Sequence, residues 1–328
     1  MIISKTPIRV SFFGGGTDYP DYYKSFGGKA LSTTIDKYIY ITVKRAEGIS
    51  DFKYKINYSK LEACNDIDEI QHPVVRACLQ FLEIENSLEI HVISDLPAKS
   101  GTGSSSSFTV GLLNALYCMK GNIVSKEKLA KDAIYIEQVL LNERVGVQDQ
   151  LAAAYGGFNE MSFNEDDSLI VKKMHINDNV INKLENNLLM FYTGVSRFAH
   201  QVLEEQINNT KNQTINSDLE HIKNMVQKGI EILTLGENLN QFGLLLNEAW
   251  ERKKLLSKSI SSNFLDEIYN TAKTSGAIGG KLLGAGGGGF FVFYVDEHKH
   301  EEVRKSLSNY AEVKFNFEYY GSRIILND

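Results

Sequence analysis

Cysteine is scarce in this 328-residue chain and poorly placed for pairing. Cys64, Cys78 and Cys118 make an odd count without a CxxC spacing. That excludes a disulfide scaffold or a cysteine zinc site and suits a reducing compartment. The four prolines (Pro7, Pro20, Pro73, Pro97) all fall in the first third, so no proline-rich linker divides the chain, and no low-complexity stretch or internal repeat takes its place. No run reaches 18 apolar residues, and Met1 to Phe13 lacks an apolar core followed by a cleavage site. No membrane association is expected, and the cytoplasm is the expected location. Positive charge is short as well: 35 Lys and Arg stand against 41 Asp and Glu, a net charge of −6. No global field draws in nucleic acid or an anionic membrane, so an anionic ligand must be met by a local cluster of donors.

What is present is ordinary for a globular protein, with 43% hydrophobic and 23% charged residues. At roughly 100–200 residues per domain the length suggests two domains. We place the division at 1–175 and 176–328, beside an alternating stretch over 158–176 whose turn, Asn164-Glu165-Asp166-Asp167, marks a hairpin. Strands are expected over 6–13, 36–45, 87–94 and 290–295. Helices are expected from Phe108 to Met119, over 126–142 behind Ser125 as N-cap, through most of 198–275, and over 298–308, with two terminal strands after them.

Three glycine-rich segments carry the chemistry. Pro97-Ala98-Lys99-Ser100-Gly101-Thr102-Gly103-Ser104-Ser105-Ser106-Ser107 lies between a strand and a helix. Small residues there let successive amides converge on a phosphate at the positive end of the helix, with serine hydroxyls in its first turn. A flexible serine-capped turn is the plain alternative. No Gly-Lys-Ser/Thr follows at Walker spacing. Gly284-Ala285-Gly286-Gly287-Gly288-Gly289 fits GxGxxG as a string, but an apolar strand-like run follows where a dinucleotide fold needs a helix. An oxidoreductase is excluded on that context, and the glycines serve a tight turn or a close approach to a loop or ligand. Gly14-Gly15-Gly16-Thr17-Asp18 ends the first strand with an acid, which by itself is also an ordinary Asx turn.

Two further acids stand out. Glu137 lies on or beside the apolar stripe of its helix, where a carboxylate needs either a salt bridge or a metal. Asp149, in Gly146-Val147-Gln148-Asp149-Gln150, begins an alanine-rich helix over 150–155. It either stabilises that helix end or orients and deprotonates a hydroxyl.

In their order these segments resemble the GHMP kinases, the family of galactokinase, homoserine kinase, mevalonate kinase and phosphomevalonate kinase. The first motif resembles Thr6 to Asp18. The phosphate loop Pro-x-x-x-Gly-x-Gly-Ser-Ser is matched by Pro97, Gly101, Gly103, Ser104 and Ser105, and the third motif by Lys281 to Gly289. The resemblance implies an α+β fold, with an N-terminal ribosomal protein S5 domain 2-like α/β domain and a C-terminal ferredoxin-like domain. It implies ATP and Mg²⁺, with Ser105 and Glu137 on the metal. Pro97, Lys99, Ser100, Gly101, Thr102, Gly103, Ser104, Ser105 and Ser106 would line the nucleotide phosphates. Asp149 would act on the acceptor hydroxyl, and Arg9 would stand near the transferred phosphoryl group. Gly15, Gly16, Thr17, Asp18, Arg197, Gly286 and Gly287 would surround the acceptor.

Galactokinases carry Gly-Glu-His-x-Asp in the first motif, whereas this chain has Gly15-Gly16-Thr17-Asp18, which argues against galactose. Within the family, Phe12 to Asp18 and Phe191 to Arg197 look most like the kinases that phosphorylate the anomeric hydroxyl of heptose 7-phosphate. Those serve nucleotide-activated heptose for surface polysaccharide. Fucose-type 1-kinases are the nearest alternative. The resemblance thus implies a small-molecule sugar phosphate as partner. The oligomeric state stays open, a homo-oligomer being compatible with the sequence. A non-catalytic sugar sensor on the same scaffold is the rival from another class, and the presence together of Ser105, Glu137 and Asp149 argues against it.

Overall fold

The computed structural model describes residues 1–46, 51–98, 100–195, 199–212 and 214–328, with the backbone alone at 199–204. In the first part of the chain the elements run β1 (Ile2–Phe13), α1 (Pro20–Phe26), β2 (Gly28–Arg45), β3 (Tyr54–Asn57), β4 (Leu61–Cys64), α2 (Pro73–Phe81) and β5 (Leu88–Ser94). There follow α3 (Ser104–Met119), α4 (Lys126–Tyr135), α5 (Gln148–Tyr155), β6 (Phe158–Phe163) and β7 (Leu169–Lys173). The second part comprises α6 (Asp178–Asn186), β8 (Leu188–Tyr192), α7 (Ala199–Lys211), α8 (Asn216–Leu235), α9 (Asn240–Leu255) and α10 (Asn263–Thr274). It continues with β9 (Ala277–Leu282), β10 (Phe290–Val295), α11 (His300–Ser306), β11 (Ala311–Glu312), β12 (Phe317–Glu318) and β13 (Arg323–Asn327).

The first sheet has nine strands, ordered β13-β1-β2-β5-β3-β4, with β6 and β12 pairing further along β2 and β7 pairing β6. Strand β1 alternates only over its first residues; from Thr6 to Phe13 every residue is buried. Such a strand is covered on both faces. On one side lies α3, whose Gly111 has no room for a Cβ against Thr6 and Ser4. On the other, Phe12 stacks on Phe158 at 5.4 Å and meets Phe242 of α9 edge-on at 5.2 Å.

The second sheet is antiparallel in the order β11-β8-β10-β9. Its strands and helices follow a βαββαβ course, the ferredoxin-like arrangement. Residues of β1, β2, β8, β10, α8 and α9 share one buried cluster that includes Val10, Phe13, Leu31, Met190, Val226 and Phe242. The two sheets are therefore joined by continuous core, and the end of β1 sits at the seam between them.

Several expectations shift. The strand expected at 36–45 begins at Gly28, and the one at 6–13 begins at Ile2. The helix expected over 126–142 is α4 passing into a π-helical turn, Ile136–Leu140. Strands β12 and β13 lie beyond the expected division at residue 175, yet they pair with β2 and β1 of the first sheet.

Candidate active site

Gly103 takes the left-handed conformation (φ +73°) and starts α3 without a side-chain cap. The amides of the first turn are thus left to an external acceptor, at the positive end of a helix of 16 residues. Gly101 is pressed against the third glycine segment: a Cβ there would lie 2.5 Å from the Leu283 carbonyl oxygen, and one on Gly284 would lie 2.3 Å from the Gly101 Cα. The two loops touch backbone to backbone, and only glycine permits it.

A cavity of about 740 Å³ opens at this seam. Arg9 and Ser11 enter it from β1, Gly15, Gly16 and Asp18 from the first turn, and Gly101 and Gly103 to Ser106 from the phosphate loop. Gly146, Gln148 and Asp149 come from the approach to α5, Lys253 from α9, and Lys281, Gly284 and Ala285 from the third segment.

Arg9 uses all three of its guanidinium nitrogens. Nε and Nη2 donate to the two Asp149 carboxylate oxygens at 2.8 and 2.9 Å, and Nη1 donates to the Gly101 carbonyl at 2.6 Å. A planar two-pronged bond of this kind fixes direction as well as distance. It ties the acid at the start of α5 to the phosphate loop.

Asp18 accepts from the Gly16 amide at 3.0 Å and the Gln148 amide at 3.4 Å. Burial, and secondarily the negative charge of Asp149, push its carboxyl up to about 6, against the pull of those amides. The ordinary value is 3.8, so the folded chain binds this proton more tightly than the unfolded chain. Stability from this group falls as pH rises from about 4 to about 6, and keeping Asp18 ionised above that costs the fold roughly 3 kcal/mol. Asp18→Asn is expected to raise Tm relative to the native chain at pH 8, with the gain shrinking toward pH 4.5. A gain that does not vary with pH would show that the carboxylate carries no such cost.

Glu137 is buried inside the π-helical turn. Ser106 Oγ donates to its Oε2 at 2.9 Å and Gln150 Nε2 donates to the same oxygen. Its Oε1, among the described residues, has no hydrogen-bond partner. Burial raises this carboxyl to about 7, against the lowering effect of Gln150, Ser106 and the nearby Thr109 hydroxyl, which donates to the Ser105 carbonyl and not to Oε1. The salt bridge that the sequence left open is not formed among the described residues. A carboxylate oxygen buried without a donor is the environment that a small divalent cation fits. Ser105, expected beside it, faces the cavity and solvent at the outer side of the turn, and the serine in contact with Glu137 is Ser106.

Other expected residues are placed differently. Thr17 spends its hydroxyl on the Gly14 and Lys29 carbonyls. Ser100 and Thr102 are buried and bonded to each other at 3.2 Å, and Pro97 is exposed, away from the cavity wall. Gly286 and Gly287 pack on Ile260, with the Gly287 amide donating to its carbonyl at 2.9 Å, while Gly284 and Ala285 face the cavity in their stead. Lys99 and Arg197 lie outside the described residues. Two cations were not anticipated at the site. Lys281 Nζ donates to the Phe12 carbonyl at 2.9 Å, and Lys253 Nζ donates to the Leu282 carbonyl at 2.9 Å and to that of Gly284. Both are buried.

This arrangement of loop, helix end and clamped acid defines a phosphotransferase of the kind that the comparisons reveal. Residues 72–157 match the GHMP kinases N terminal domain and residues 229–313 the GHMP kinases C terminal domain. The chain belongs to the GHMP kinases, a family of ATP-dependent phosphotransferases. It is 32% identical over 315 residues to D-glycero-alpha-D-manno-heptose 7-phosphate kinase of Campylobacter jejuni, covering 93% of each chain. A bifunctional fucokinase/GDP-fucose pyrophosphorylase of Arabidopsis thaliana is 27% identical, across 93% of this chain and 31% of that one. The crystal structure of a D-glycero-D-manno-heptose 1-phosphate kinase from Bacteroides thetaiotaomicron superposes with a TM-score of 0.82 at 26% identity, covering 100% of both chains.

Proposed function

We propose that this kinase transfers the γ-phosphoryl group of ATP to the anomeric hydroxyl of D-glycero-D-manno-heptose 7-phosphate, giving the 1,7-bisphosphate. The observation that carries the reaction type is the Arg9–Asp149 fork beside the bare N-terminus of α3, within one cavity. The acceptor rests on the likeness to the Campylobacter jejuni enzyme over nearly the whole chain.

In this reading the amides of Gly101 to Ser106 and the end of α3 bind the nucleotide phosphates. Asp149, aimed by Arg9, orients the acceptor hydroxyl in line and takes its proton as the new C1–O–P bond forms and the bond to ADP breaks. An anomeric hydroxyl is more acidic than most alcohols, and in a loose transition state the proton leaves late, so an aspartate suffices. Asp18, with both oxygens toward backbone amides, presents its remaining lone pairs to sugar hydroxyls. Glu137, with Ser106 or Ser105, would hold Mg²⁺, which when bound neutralises phosphate charge. The protein would act in the cytoplasm, on the route to a nucleotide-activated heptose for surface polysaccharide.

The test is a steady-state comparison of acceptors. The 7-phosphate is expected to exceed free heptose, mannose and fucose in kcat/KM by about 30-fold or more, the cost of losing one buried charge contact. Fucose turned over as well as heptose 7-phosphate would move the enzyme to the fucose-type 1-kinases.

A further inference from the structure

Lys253 and Lys281 approach the seam from different elements, α9 and β9, and both line the cavity. Among the described residues neither forms an ion pair. Their hydrogen-bond partners are carbonyl oxygens, Leu282 and Gly284 for Lys253 and Phe12 for Lys281, and Lys253 Nζ also stands 5.9 Å from the centre of the Trp250 ring. Arg9, the third cation here, has already given its charge to Asp149 and its last nitrogen to Gly101. The other charged groups facing the cavity are Asp18 and Glu143, and among the described residues neither is paired with a lysine. Two buried ammonium groups beside an arginine, neither in contact with a carboxylate among the described residues, repel one another and forgo water. Packing alone would not select them, since a methionine fills similar space without that cost.

Each ammonium has three N–H donors. Lys253 spends two on carbonyls and Lys281 one, so three donors remain between them. They stand where Gly101 of the phosphate loop meets Gly284 of the last glycine segment. Burial holds both ammonium protons loosely, helped at Lys281 by the charge of Arg9 and at Lys253 by the charges of Lys281 and Arg9: Lys281 falls to about 7 and Lys253 well below its ordinary value, a tendency an arriving anion reverses.

We propose that Lys253 and Lys281 together bind a phosphoryl dianion at this seam, as a second anion site beside the helix-end loop. The site rests on the kinase reading and extends it. Two phosphates of the reaction have the right chemistry: the third phosphate of the nucleotide, which is the group in transit, and the acceptor's own phosphate. The bound anion supplies the direct counter-charge that neither lysine finds among the described residues.

The experiment measures affinities by calorimetry for the native chain and for Lys253→Met, Lys253→Gln, Lys281→Met and Lys281→Gln. Glutamine retains a donor for the carbonyls and guards against loss of folding, which thermal melting checks. Two ratios are read: AMP-PNP over ADP, and heptose 7-phosphate over free heptose. A fall of about tenfold or more in the first ratio, with ADP affinity kept, assigns the site to the nucleotide's third phosphate. The same fall in the second ratio assigns it to the acceptor. If both ratios stay within about twofold of the native values, or if ADP and AMP-PNP weaken in parallel, the lysines are structural ties and the proposal is overturned. A native chain without preference for heptose 7-phosphate would sink the substrate reading alone, and the nucleotide ratio would then decide.

Discussion

Asp149→Asn is expected to lower kcat by about 10²–10⁴ while the affinity for ATP stays within about threefold. The carboxylate's two oxygens both accept from Arg9, so its position is fixed by the protein before any ligand arrives. Asparagine has nearly the same shape but offers one acceptor and an NH₂ group, which cannot accept from the facing guanidinium. The fork is broken and the proposed proton acceptor removed in one step, while the loop amides proposed to bind the nucleotide are untouched. Rapid-quench or coupled ADP-release assays give kcat, and calorimetry gives the ATP affinity. A rate near the native one would reduce Asp149 to a counter-ion for Arg9 at the start of α5. A parallel collapse of ATP affinity would show that the fork's role is to hold the phosphate loop through Gly101.

Gly146→Ala is expected to lower kcat/KM for the acceptor by about 100-fold with little change in ATP affinity, the scale of a misplacement of about an ångström at a reacting site. A Cβ on Gly146 would stand 1.9 Å from Asp18 Oδ2 and 2.6 Å from its Cγ. Gly146 is not in the left-handed region, so the backbone accepts alanine and the damage is confined to the carboxylate it displaces. Asp18 would lose its bonds from the Gly16 and Gln148 amides and swing out of register with Asp149. Adding Asp18→Asn to this variant is expected to cost little more, since both substitutions remove the same contact. Full additivity of the two losses would mean that Gly146 acts elsewhere.

The strand–loop–helix setting of the glycine- and serine-rich segment was legible because its signal is local: small residues, a preceding strand and an immediate helix lie within one stretch of chain. Asp149 and Asp18 were legible as acids in ordered motifs. Their relation was not, because Arg9 reaches across 140 residues to make the fork. Helical spacing placed Glu137 on the apolar stripe and required it to be paired or ligated, but it could not show the wider π turn that leaves Oε1 without a donor. Lys253 was hidden in the run Arg252-Lys253-Lys254, which reads as a basic helix end. Its spacing from Leu246, Ala249 and Trp250, all buried, is the one clue that it turns inward. Lys281 sits on a strand that begins Ala277-Ile278-Gly279-Gly280, a poor strand former by composition. That strand exists because α9 packs close on it: a Cβ at Gly279 would lie 1.9 Å from the Gly243 carbonyl oxygen. A contact between a helix and a strand so intimate leaves no periodic trace in either segment.

The return of β12 and β13 to the first sheet sets the order in which a nascent chain can fold. Strand β2 finds β1, β5 and β6 early, but Ile35 and Thr34, paired on one side with Ile8 and Arg9, wait on the other for Phe317 and Glu318. The outer side of β1 waits longer still, for Arg323 to Asn327. While the ribosome is making the whole second sheet, the first is held with the apolar start of β1, Ile2 and Ile3, as an open edge, the kind of edge that pairs with a neighbouring chain. A chain stalled after β11 would therefore carry every residue of the cavity and still be exposed to misassembly on the polysome. Pulsed proteolysis of stalled chains should find β1 protected only once residues 317–327 have left the exit tunnel.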